Sequence, residues 1–222
     1  MADRRRPAPT GPSGAESRPG RPTLRVAAAS AAAGCVLLGA VAVTVAVVAG
    51  PGPGLTGYVS EAGVADSGYA ATYRIGVLAL AGGLLLLAAA LPSAVRVAAG
   101  LLVAGGVCAA LSGVVSCSAG CPLPPFERAT VADLVHGGAG IAATASVVFA
   151  MLAVLFTPAA APRLRRLAAC GAAVSLPLAG AVGLAMLVVG RGALVGVLER
   201  MLLAVCAVWG LATATALARR GR

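Results

Sequence analysis

CSAGCPLPPFERATVADLVH, Cys117 to His136, is the longest polar interruption in an otherwise apolar chain. It holds two of the six cysteines, two of the seven acids and the single histidine. What flanks it decides the fold. Upstream, Val97–Val115 runs without a charged residue; downstream, Val131–Phe156 carries its only titratable groups, Asp133 and His136, in its first two turns. An apolar helix of about 20 residues crosses the ~30 Å hydrocarbon core of a bilayer. The loop therefore joins two membrane-spanning helices.

Outward from that loop the pattern repeats. Val26–Gly50 is a first span, ended by Pro51-Gly52-Pro53-Gly54. A polar loop to Tyr73 carries Tyr58, Ser60, Glu61, Asp66 and Tyr69. Ile75–Leu91 is the second span, and the short turn at Pro92 and Arg96 makes it an antiparallel hairpin with the third. Beyond Phe156, a Pro/Arg turn to Arg166 leads to a fifth span, Leu167–Gly190, with Pro177 near its middle as a kink position. Arg191 to Arg200 reads as a further turn, and Met201–Ala218 is the sixth span. The expected fold is all-α, a polytopic bundle of six transmembrane helices.

Composition agrees: 59% of the chain is hydrophobic and 11% charged, far from a soluble domain. The net charge of +10 does not make a nucleic-acid surface, because the arginines sit in tails and turns and aromatics are only 3%. No nucleic-acid partner is expected. All 17 basic residues are arginine, which suits a high-GC genome.

Residues 1–25 are rich in Pro, Gly, Ser and Arg and read as a disordered basic tail. They fit a twin-arginine export signal poorly, because Arg4–Arg6 lead into Pro-rich sequence. Ala32-Ala33-Gly34-Cys35 faintly resembles a lipoprotein cleavage site, but the apolar run continues past Cys35, so the first span reads as uncleaved. Residues 219–222 form a basic end. The tails and even-numbered loops carry 13 arginines and the odd-numbered loops four, which by the positive-inside rule places both termini in the cytoplasm. Glu61, Asp66, Glu127, Asp133 and Glu199 then all fall on the outer side.

Three segments occur in order between these spans: YVSEAG at Tyr58–Gly63, CSAGCP at Cys117–Pro122 with Thr130, Asp133 and His136, and GVLERMLL at Gly196–Leu203. Together they resemble the six-pass membrane family catalogued as domain of unknown function 998, over roughly Val26 to Ala218. The resemblance implies six helices and an integral membrane location, and no established activity. In that family an acid commonly follows the first loop cysteine; this chain has Ser118 there.

Cys117 and Cys121 are a disulfide candidate on an oxidising face; unpaired thiols and a metal pair are the alternatives. Zinc wants four ligands and the chain has one histidine, so no metal and no cofactor is expected. Cys35, Cys108, Cys170 and Cys206 read as small apolar packers inside spans.

Asp133 and His136, three apart, share a helix face. The carboxylate can orient the imidazole as a general base, or it can simply close a capping box with Thr130. Ser60-Glu61 and Glu199-Arg200 lie at the same depth. The middles of the spans have no charged residue or histidine, which disfavours a proton-coupled transporter.

The expected function is that of an integral membrane protein with an outward polar pocket. Ser60, Glu61, Asp133, His136 and Arg200 would line it, to bind a lipid or another amphiphile. Service to a membrane-protein partner is the related reading. The alternatives are an intramembrane hydrolase or transferase on a lipid head group, with Asp133, His136, Ser60 and Glu61 as catalytic candidates, and a small transporter.

Overall fold

The computed structural model describes residues 20–50, 54 and 56–219. The expected tail up to residue 19 and the end from residue 220 lie outside the described residues. Six long helices make up the chain: α1 Arg21–Ala49, α2 Ala70–Ala90, α3 Arg96–Val114, α4 Val131–Leu155, α5 Pro162–Val188 and α6 Ala193–Ala218. Short 3-10 turns occupy Val59–Gly63 and Ser93–Val95. Among the described residues there is no strand.

All six helices are long and apolar enough to cross a membrane. In each, only 22–39% of the most apolar window is buried inside the bundle. The remainder presents Leu37, Leu38 and Val41 on α1, Val103 and Val107 on α3, and Leu184 and Leu187 on α5 outward. Apolar belts of that extent are not stable against water but match a hydrocarbon solvent. Several hydroxyls inside the spans donate within their own helices: Thr44 to Ala40 C=O at 2.7 Å, Ser146 to Ala142 C=O at 2.7 Å and Thr215 to Leu211 C=O at 2.8 Å.

Each helix packs on its successor in sequence, and α6 returns to pack on α1, closing the bundle. Glycine makes the closest approaches. A Cβ at Gly39 would lie 2.7 Å from the Gly76 carbonyl oxygen and 2.9 Å from the Leu80 nitrogen, so α1 and α2 touch backbone to backbone. Gly171 of α5 seats the Trp209 indole and the Met151 sulfur, joining α5 to α6 and α4. The main core runs through Leu87, Leu102, Met151, Leu164 and Trp209.

Helix alternation gathers the loops after α1, α3 and α5 at one end, here the loop end. Both described termini and the remaining turns lie at the other, the arginine end. α4 keeps the expected start, whereas other helices begin earlier. α1 opens at Arg21, so residues 21–25 of the expected tail are helical. α5 opens at Pro162, taking Arg163, Arg165 and Arg166 out of the expected turn. α6 opens at Ala193, which places Glu199 and Arg200 on the helix instead of in a turn. Their side chains are engaged by the first loop, and that compensates charge near the start of a span.

Candidate functional site at the loop end

Three polar clusters organise the loop end. The first centres on α4. Thr130 is its N-cap, its hydroxyl accepting the Asp133 N–H at 3.2 Å. The Asp133 carboxylate accepts the Thr130 N–H at 2.8 Å, completing the capping box. The same carboxylate accepts the Ser118 N–H at 2.7 Å and the Ser118 hydroxyl at 2.9 Å. Asp133 is 1% exposed. Its acceptor sites thus serve both its own helix and the cysteine loop.

One turn further, buried His136 brings Nδ1 to 2.7 Å from the Val115 carbonyl. A carbonyl only accepts, so Nδ1 carries a proton toward it. Ser112 donates to the His136 carbonyl at 3.1 Å. Among the described residues no hydrogen bond joins Asp133 to His136. Cys117 and Cys121 stand at disulfide distance, Cα–Cα 5.0 Å, with an imidazole nitrogen of His136 within 4.8 Å of their sulfurs. Cys121 and Gly120 both take positive φ, 47° and 83°, which lets so short a segment fold back on itself. Arg74 of α2 donates to Ser116 beside this segment.

The second cluster holds the first loop against α6. The Arg200 guanidinium donates to the carbonyls of Gly57 at 2.9 Å, Gly54 at 2.6 Å and Gly196 at 2.7 Å. Glu199, on the same turn, accepts the Val59 N–H at 3.0 Å. Glu61 accepts the Tyr58 N–H at 2.9 Å and so closes the 3-10 turn; Ser60 lies half-buried within it. Burial, with the Glu127 and Glu199 carboxylates behind it, pushes the Tyr58 phenol above its ordinary pKa.

The third cluster is ionic and links all three loops. Arg191 donates to both Glu61 carboxylate oxygens at 3.2 Å and lies 3.7 Å from Glu127. Its hydrogen bonds to Glu61 hold the guanidinium protonated beyond its already high pKa. The side chain is 37% exposed, as is that of Glu127 at 38%, whereas Glu61 is 8% exposed. Gly120 lies under the guanidinium, where a Cβ would come within 3.6 Å of it. Gly190, at φ 72°, abuts the ring of Phe126.

The five expected site residues therefore do not line one pocket: Asp133 and His136 belong to the α4 cluster without touching each other, Arg200 and Ser60 to the first-loop cluster, and Glu61 joins that loop to Arg191. Arg191 and Glu127 were not singled out from the sequence. The signal that finds Arg191 is an arginine flanked by Gly190 and Gly192 at the end that gathers the acids.

Six outward-apolar helices closed into one bundle, with polar loops tied together at one end, define a multi-pass integral membrane protein. The chain belongs to the family described as Protein of unknown function (DUF998), whose model matches residues 31–216. No curated protein and no solved structure matches it.

Proposed function

We propose that this membrane protein binds the head group of a lipid or another amphiphile at the loop end. In this reading the loop end faces the outside of a bacterial plasma membrane and both termini face the cytoplasm. The observation that carries it is the Arg191 bridge. Glu61 is buried and chelates the guanidinium, whereas Glu127 is more distant and exposed. An exposed ion pair of that kind contributes at most ~1 kcal/mol and exchanges readily. A head-group phosphate can take the place of Glu127 on Arg191 as a charge-assisted acceptor. The freed Glu127 carboxylate can then receive an ammonium. A zwitterionic head group suits this pair best, with Phe126, 54% exposed, beside its glycerol and acyl carbons.

Asp133, His136 and Arg200 support this site by fixing the loops instead of touching the ligand. The hydrolase or transferase alternative asks Asp133 to orient His136 for Ser60. Asp133 is hydrogen-bonded to Ser118 and Thr130, and His136 to the Val115 carbonyl, so binding is the better supported function. The same end would also serve an accessory to a membrane complex.

The test is lipid retention. Purified wild-type and Arg191→Gln protein would be compared by mass spectrometry for co-purifying lipid and for binding of added phosphatidylethanolamine. At least fivefold weaker binding in the variant, at unchanged melting temperature, is expected. Equal binding by both would reject the Arg191 site.

A further inference from the structure

At the arginine end, Arg25, Arg96, Arg163, Arg165, Arg166 and Arg219 are all exposed. The described carboxylates, Glu61, Asp66, Glu127, Asp133 and Glu199, all lie at the loop end. A bundle end so unbalanced in charge attracts anions, and in a bilayer the anions at that depth are lipid phosphates.

One place there has a shape to match. A shallow, open cavity of about 280 Å³ lies between the end of α4 and the first two turns of α5, lined by Leu155, Pro162, Arg165, Arg166 and Ala169. The four α5 residues are spaced i, i+3, i+4 and i+7 and so form one helical face. Arg165 Nε donates to the Leu155 carbonyl at 3.3 Å, which fixes that guanidinium against the α4 wall. Its terminal nitrogens have no partner among the described residues. Above the cavity the same α5 stripe continues through exposed Ala173 and Leu176, and just past α4 Phe156 is 75% exposed.

Two cations at the rim, apolar walls behind them and an apolar stripe leading into the membrane call for an amphiphilic anion. We propose that this cavity is a site for an anionic phospholipid, its phosphate between Arg165 and Arg166 and one acyl chain along Ala169, Ala173 and Leu176. A small inorganic anion would satisfy the arginines and leave the apolar walls without a partner. The site stands on different residues, at the opposite end from Arg191, and its test is independent of that proposal.

Native mass spectrometry of the purified full chain, titrated with phosphatidylglycerol or phosphatidylcholine, reads the preference directly. Wild type is expected to bind phosphatidylglycerol at least tenfold more tightly. The double variant Arg165→Gln with Arg166→Gln should lose that preference. Arg96→Gln with Arg163→Gln, which removes as much charge away from the cavity, should change it less than twofold. Ala169→Trp fills the cavity at constant charge and should lose it too; should the arginine variant fail to fold, this one carries the test. The proposal is overturned by a preference that survives either cavity variant, by equal loss in both double variants, or by inorganic phosphate displacing the lipid at millimolar concentration.

Discussion

The Asp133 carboxylate of α4 accepts the Ser118 backbone N–H at 2.7 Å, so the residue that caps one helix also holds the loop that follows the previous one. The α3–α4 hairpin is thereby closed at the membrane surface by a single buried acid. Its loss leaves several donors without an acceptor, and donors stranded in a buried site cost about 1–3 kcal/mol.

Asp133→Asn is accordingly expected to destabilise by about 1–3 kcal/mol, more than a simple exposed cap would cost. Ser118→Ala should cost about 0.5–1.5 kcal/mol, and the pair should be non-additive because the two side chains share one network. Thermal unfolding in a fixed detergent measures all three. Additive losses would mean that the Ser118 contact contributes nothing.

Capping was readable in the sequence, because Thr130 and Asp133 are three residues apart and their geometry is local. The partner at Ser118 was not, because it lies fifteen residues away across an irregular loop. The six helices were legible for the same reason of locality: an unbroken apolar run is its own signal. The start of α6 reads as a turn because Glu199 and Arg200 look like turn residues; their partners, Val59 and the carbonyls of Gly54 and Gly57, come from about 140 residues upstream. Charge on a helix becomes predictable only once the compensating backbone is known.

That clasp gives the next prediction. Arg200→Met removes the donors to Gly54 and Gly57 and keeps the aliphatic stem. Hydrogen exchange across residues 56–63 should speed up at least tenfold, with the exchange of α4 unchanged. Unaltered exchange in that loop would show that Arg200 does not hold it.

Cys117 and Cys121, at disulfide distance, should resist alkylation in unreduced protein and react only after reduction. Modification of both thiols without reductant would exclude a bridge between them.

Packing of α1 on α2 is tested by two glycines with opposite surroundings. Gly39→Ala forces a methyl into the backbone of α2 and should cost about 1–3 kcal/mol. Gly82→Ala meets no atom within 4 Å and should be neutral or stabilising by up to about 1 kcal/mol. Similar melting temperatures for the two variants would contradict the close approach at Gly39.

The proposed orientation, with both termini in the cytoplasm, is testable. In intact cells, an impermeant thiol reagent should reach a single cysteine probe placed at Glu127 and not one placed at Arg163, each in a background lacking the other six cysteines. The reverse pattern would invert the bundle.

Because α6 packs back onto α1, the seam between them joins the earliest and the latest made of these six helices. The flank of α1 must wait in the bilayer, facing lipid or an insertion factor, until α6 has been made. Hairpins α1–α2 and α3–α4 have their partners as soon as they emerge; the closed bundle does not exist until α6 arrives. A chain cut short before Ala193 would therefore enter the membrane and still present an open side, with the α1 face that α6 covers and the α5 face beside it both left to lipid.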